Sequence, residues 1–235
     1  MTLFATLLLG FLLGMRHATD ADHVVAVSTI VTRERTTRAA MLVGALWGLG
    51  HALTLFLVGG AIVLFGVVIP TRLGLSMELC VAVMLVSLGM LNVTGALRGV
   101  QGAEHGRTHL HAPGSPESRR SRFTRTGVAR FLIVGIVHGL AGSAAVALLV
   151  LATIRETKWA LLYLLVFGGG TVLGMLSLTS AMALPLAAAA RRFPRFEAKL
   201  ARATGLVSIA FGLVLAYQIG FVDGLFLPHP IWTPE

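Results

Sequence analysis

The sequence predicts an all-α integral membrane protein: six transmembrane helices in a 3+3 inverted-topology repeat, with both termini outside. Three observations carry this. First, the 235 residues are 56% hydrophobic and 12% charged, with a mean hydropathy of +0.85, whereas an ordinary soluble chain is about 25% charged. Second, apolar runs at 3–31, 39–69, 77–97, 128–154, 159–190 and 203–226 each reach the roughly 20 residues that cross hydrocarbon. Third, Lys and Arg alternate sides. Arg33, Arg35 and Arg38 follow the first run; Arg98, Arg107, Arg119, Arg120, Arg122, Arg125 and Arg130 surround the third connection; Arg191, Arg192, Arg195, Lys199 and Arg202 follow the fifth run. Only Arg72, Arg155 and Lys158 fall on the other side. That bias puts the basic loops in the cytoplasm of a multi-pass protein of the cytoplasmic (inner) membrane. The formal charge of +9 therefore encodes topology, and no nucleic-acid partner is implied.

Taken in order, the first run lacks a basic n-region and a small-residue cleavage site, so it reads as a helix and not as a signal peptide. Its length leaves room for an interruption. The second run carries Gly44, Gly48 and Gly50, and the fifth carries Gly168, Gly169, Gly170 and Gly174, which suit close helix contact or local unwinding. Residues 100–127, "VQGAEHGRTHLHAPGSPESRRSRFTRTG", have no apolar period and read as a disordered cytoplasmic linker. Cys80 is the single cysteine, which excludes disulfides and Cys-x-x-Cys sites; it reads as buried small filler. Trp159 and Trp232 read as interfacial anchors.

The halves resemble each other. "GMRH" ending at His17 aligns with "GIVH" ending at His138, an offset of 121; "WGLGH" (47–51) aligns with "FGGGT" (167–171) at 120; "LVS" recurs at 85–87 and 206–208. The domains are thus a first three-helix repeat (1–99), the linker (100–127) and a second repeat with a short outer tail (128–235). With three helices per half, the second copy enters the bilayer from the opposite side. Transporters built this way place substrate near the midplane where the repeats meet.

The first run holds "GMRHATDADHVVAV" between Phe11–Leu12–Leu13 and Val24–Val25. An ionised Asp at the centre of a membrane helix costs roughly 2.5–3.5 kcal/mol on insertion scales, and Asp20 and Asp22 are two of them. Arg16 could neutralise Asp20, but intramembrane ionisable groups are functional by default. Two imidazoles, His17 and His23, with two carboxylates form a mixed nitrogen and oxygen set suited to nickel, cobalt, zinc or manganese. Calcium and magnesium prefer oxygen alone.

On a straight helix His17, Asp20 and His23 share an arc of roughly 120°, while Asp22 points roughly 140° from His17. Either Asp22 orients a ligand from behind, or the helix opens and brings Asp22 round. His51 in "GLGHALT" lies near mid-membrane beside this cluster and joins the ligand set. His138 in "VHGLAGSAA" is the repeat counterpart of His17; ligand, proton relay and structural donor are all open to it. His105, His109 and His111 lie in the linker, as solvated residues or transient metal contacts, and His229 lies in the tail with no expected role.

"RHATDADHV" resembles the H-x-x-x-x-D-H signature of the nickel/cobalt transporter (NiCoT) family, with His17, Asp22 and His23 at its positions, and "LGHALT" with His51 is similar to that family's second histidine motif. The resemblance implies a permease moving Ni²⁺ or Co²⁺ as substrate, with no resident cofactor. The family's additional N-terminal helix is missing here; Ser28 and Thr29 replace its Asp-Asn pair, and "VHGLAGSAA" replaces its second-half acidic motif, as in the short urease-associated and efflux-type branches. The alternatives are a metal-delivery accessory factor for urease-type maturation and an efflux permease. A metal ion, the bilayer and a cytoplasmic metallochaperone are the partners these readings admit. An enzyme is not expected, there being no H-E-x-x-H pair and no set of closely spaced His boxes for a di-iron centre, and no primary energy source is visible, since neither Lys158 nor Lys199 precedes Ser or Thr as a P-loop requires.

Overall fold

The computed structural model describes residues 2–32, 37–94, 125–140, 151, 153–154, 156–192 and 194–232. All regular elements among them are helical: α1 (Leu3–His17), α2 (Ala21–Val31), α3 (Thr37–Phe65), α4 (Thr71–Thr94), α5 (Arg125–Gly139), α6 (Thr157–Arg192) and α7 (Pro194–Tyr217), which ends in a π turn at Gln218–Val222. Four segments are long and apolar enough to cross a membrane: Thr37–Phe65, Thr71–Thr94, Thr157–Leu186 and Ala198–Val222. The first apolar run is divided between the shorter helices α1 and α2, and α5 forms the described start of the fourth. Most of the linker, with His105, His109 and His111, lies outside the described residues; only its last three residues are described, at the start of α5.

The break in the first run has a local cause. Thr19 Oγ1 donates to the Arg16 carbonyl (2.6 Å), and the Asp20 amide bonds the His17 carbonyl (3.1 Å), so the last turn of α1 tightens and stops. Short polar side chains compete for helix backbone in this way. Asp20 is extended (φ −61°, ψ 153°) and occupies the N-cap of α2, but its carboxylate makes no capping bond.

Glycines bring the helices to backbone distance, as small residues do in membrane bundles. A Cβ on Gly14 of α1 would meet the Phe167 carbonyl and Thr171 amide of α6; one on Gly135 of α5 would meet the Trp47 carbonyl and His51 amide of α3. Shifting each residue of the first contact by 120 or 121 positions produces the second. Gly50 against Leu132 and Gly170 against Phe11 form another such pair, as do Gly48 against Val172 and Gly168 against Ala52. Helices α4 and α7 pair through Gly89 and Gly205. Polar ties supplement the packing: Asn92 donates to the Thr29 carbonyl (2.9 Å), Ser208 to Leu85 (2.7 Å) and Thr54 to Ile136 (3.2 Å).

Outward faces are greasy, with Leu12, Leu53, Leu57, Leu213 and Val214 exposed. Cys80 corrects an expectation, because it is exposed and not buried filler. The buried side of α4 runs through Leu75, Val81, Ala82, Leu85 and Leu88, and Cys80 lies off it. Where solvent is hydrocarbon, an apolar residue type carries no information about which face is inside. Trp232 folds onto α4 over Gly74 and donates from Nε1 to Glu78 Oε1 (2.8 Å), and the Lys158 ammonium lies 5.2 Å from the Trp159 ring.

Gly14→Ala and Gly135→Ala are each expected to cost about 1–3 kcal/mol through overpacking. Gly169→Ala meets open space and is expected to leave stability unchanged or slightly raised. Thermal unfolding of the three variants in detergent measures the difference.

Candidate metal site

Four helices deliver the site. His17 ends α1, Asp20 occupies the break, Asp22 and His23 open α2, His51 lies midway along α3, and His138 is the penultimate residue of α5. His23, His51 and His138 are fully buried and His17 nearly so, while Asp22 is mostly buried and Asp20 partly exposed. Five of the six expected residues form two overlapping groups, His17–His23–His51 and Asp22–His23–His138, in which one ligand atom per residue lies within 4.8 Å of the others. His23 belongs to both.

Asp20 stands beside these groups. Its Oδ2 accepts from His17 Nδ1 at 2.8 Å, which turns Nε2 of that ring toward His51 Nε2, 2.9 Å away. Arg16 is exposed, and Asp20 pairs with His17 in its place. The two alternatives for Asp22 are thereby resolved in geometry: the helix opens, and Asp22 is carried to the cluster. Its Oδ1 accepts from the backbone amide (2.8 Å) and Nδ1 (3.0 Å) of His23, and its Oδ2 accepts from His138 Nε2 at 3.0 Å. One carboxylate thus spans from α2 to α5, between the chain's two halves.

Those partners assign the tautomers. Carboxylates accept only, so His17 and His23 carry their protons on Nδ1 and His138 on Nε2. His51 then donates its Nε2 proton to the lone pair of His17 Nε2. The remaining nitrogens, His23 Nε2, His51 Nδ1 and His138 Nδ1, are all lone-pair atoms, and each is buried without a hydrogen-bond partner. A buried acceptor left unpaired costs about 1–3 kcal/mol, and here three are concentrated in one cluster. Carboxylates that fix imidazole tautomers in this way raise ligand basicity at metal centres.

Two aromatic residues that the sequence reading did not single out wall the cluster. Trp47 lies parallel to His23 (centroids 6.3 Å apart, planes at 11°) and edge-on to His138 (5.4 Å), and Phe167 lies 5.8 Å from His17. Both signals were available. Trp47 precedes His51 by four residues, hence on the same helical face, and Phe167 is its counterpart at offset 120. His229 lies in the exposed tail.

A family model for NicO, described as a high-affinity nickel-transport protein, matches residues 3–102. The urease accessory protein UreH of Bacillus sp. (strain TB-90) is 38% identical over 226 residues, covering 95% of this chain and 96% of that protein. The chain belongs to the NicO family. Chloroplast protein FOR GROWTH AND FERTILITY 2 of Arabidopsis thaliana is 29% identical over 92% of this chain, which spans 57% of that protein's length. No solved structure matches. The NicO match contains His17, Asp20, Asp22, His23 and His51, while His138 lies beyond it. Neither description is that of an enzyme, and with four membrane-capable helices the chain is a multi-pass membrane protein.

Asp22→Ala strips the acceptor from two buried imidazole N–H groups, at about 1–3 kcal/mol each, whereas Asp20→Ala strips one beside a partly exposed position. Asp22→Ala is therefore expected to lower the unfolding temperature of the metal-free protein more than Asp20→Ala does, as read by scanning fluorimetry in detergent.

Proposed function

We propose that this chain is a secondary transporter that carries a divalent transition-metal cation, Ni²⁺ first and Co²⁺ second, across the cytoplasmic membrane. The observation that carries the reading is the convergence of four buried imidazoles and a carboxylate, three of whose nitrogen lone pairs have no protein partner. Neutral imidazole with carboxylate suits such ions, and softer copper(I) poorly. His17, Asp22, His23, His51 and His138 bind the ion, and Asp20 orients His17.

The transport cycle rests on six spans in an inverted repeat with both ends outside. The offset-related contact pairs support it, because a pseudo-twofold axis requires each interface to recur with the halves exchanged. Asp22 and His138 join the halves at the site, so rocking one repeat against the other opens it to alternate sides. The connecting side chains move the charge; an energy source is the proton gradient or membrane potential acting on the same groups.

A second reading has its own observation. Likeness to UreH extends over nearly the whole chain, and that protein's name attaches it to urease. The chain then supplies nickel to a maturing metalloenzyme, with the linker histidines as the delivery contact to a cytoplasmic metallochaperone. Efflux uses the same site in reverse.

In proteoliposomes offered Ni²⁺, Co²⁺, Zn²⁺ and Mn²⁺, the parent is expected to carry Ni²⁺ and Co²⁺, and His17→Ala and Asp22→Ala to lose at least tenfold of that flux, in line with about 10–100-fold effects of losing metal-site partners. Equal flux in all three proteins rejects the assignment. Deleting residues 104–112, none of which belongs to the proposed ligand set, is expected to leave flux within about twofold; a delivery factor would instead lose urease activation in cells.

A further inference from the structure

Trp47 is 1% exposed, and its indole Nε1–H has no hydrogen-bond partner. It is one of two buried donors left in this condition among the described residues, the other being the Tyr163 hydroxyl in a separate cluster with Leu151 and Leu164. Packing does not account for the choice of Trp. Its counterpart at offset 120, Phe167, walls His17 from the same position with no polar atom. A buried indole N–H usually finds a hydrogen-bond partner. Around Trp47 the other unsatisfied atoms are His23 Nε2 and His138 Nδ1, on the two rings that it touches, together with His51 Nδ1 one turn along α3. All three are acceptors and cannot be satisfied by one another, and a bare cation bound among these rings would leave the indole N–H still without a partner.

Both deficits close if the ion enters with a water still attached. We propose that Trp47 is a specificity-determining residue of the transport site, whose indole N–H donates to the oxygen of a water or hydroxide carried on the metal. The inference rests on the transport reading above and deepens it: the recognised substrate is a partly hydrated divalent cation. Imidazoles and Asp22 replace part of the hydration shell, and the indole holds what remains. A polarised, metal-bound oxygen is a strong acceptor, and one held next to a divalent ion is more negative than free water. The site would accordingly favour ions that keep a hard oxygen ligand beside nitrogen donors and disfavour soft monovalent ions that shed all water.

The decisive measurement is ultraviolet resonance Raman spectroscopy of the indole N–H-sensitive band, in protein carrying Trp159→Phe and Trp232→Phe so that Trp47 is the remaining indole of the three. Zn²⁺ and Ni²⁺ are added in detergent while calorimetry follows binding in parallel. The expected result is a shift of the band from an unbonded to a hydrogen-bonded position, saturating with the calorimetric isotherm. Trp47→Phe, which keeps a ring and loses only the N–H, is expected to weaken Ni²⁺ binding about tenfold, the scale of one hydrogen bond to a charged group. Binding with an unmoved band overturns the water contact and leaves the transport reading intact, even if Trp47→Phe proves unstable. Failure of the parent to bind either metal overturns the transport reading and this inference with it.

Discussion

Asp22 is the constraint on which the arrangement turns. An ionised carboxylate in a membrane interior needs partners, and this one has three donors: the amide and Nδ1 of His23 and Nε2 of His138. The same bonds decide which nitrogen of each imidazole carries its proton, and hence which nitrogens are left able to bind an ion. They also couple α2 to α5, so that the charge is held only while the two halves sit together. Without the break after His17, Asp22 would face roughly away from His17 and could do none of this.

That break shows a local preference enlisted by the site. Thr19 and Asp20 are the residue types that divert backbone hydrogen bonds, and the Asp20 side chain, free from capping, is committed to His17. In a bilayer an interrupted helix leaves backbone groups without water, which is tolerated where protein buries them. Here Gly170 and Gly174 admit the backbone of α1 at Phe11 and Met15 directly onto α6. The polar interior is thus built on glycine contacts, and the two are a single design: close backbones shield the groups that a broken helix exposes.

The recurrence of helix contacts at an offset of about 120 contrasts with the asymmetry of the chemistry. His17 and His138, like Trp47 and Phe167, occupy corresponding positions and are paired crosswise, His17 with Phe167 and His138 with Trp47. Yet His51 corresponds to Thr171, whose hydroxyl bonds its own helix at Phe167, and Asp22 and His23 correspond to Ser143 and Ala144. One half supplies three of the clustered imidazoles and the carboxylate, and the other supplies a single imidazole and a frame. A membership in the NicO family that is matched over residues 3–102 accords with that division.

Sequence alone determined the class of the protein and the identity of the chemical groups. Apolar length and charge in lipid are properties of residue type, so the runs, the cluster at His17–His23 and the relevance of His51 could be read from order and spacing. The offset of about 120 between the halves was likewise legible, and the glycine contacts of the structure recur at it. Tertiary structure decided what depends on direction. Whether Asp22 or Asp20 faces His23, whether His138 acts as donor or bystander, and which way each imidazole is turned depend on a break in φ and ψ and on atoms more than a hundred residues away. Cys80 and Trp47 make the same point from opposite sides: hydrocarbon outside and protein inside welcome the same apolar side chains, so burial in a membrane bundle is settled by helix packing and not by composition.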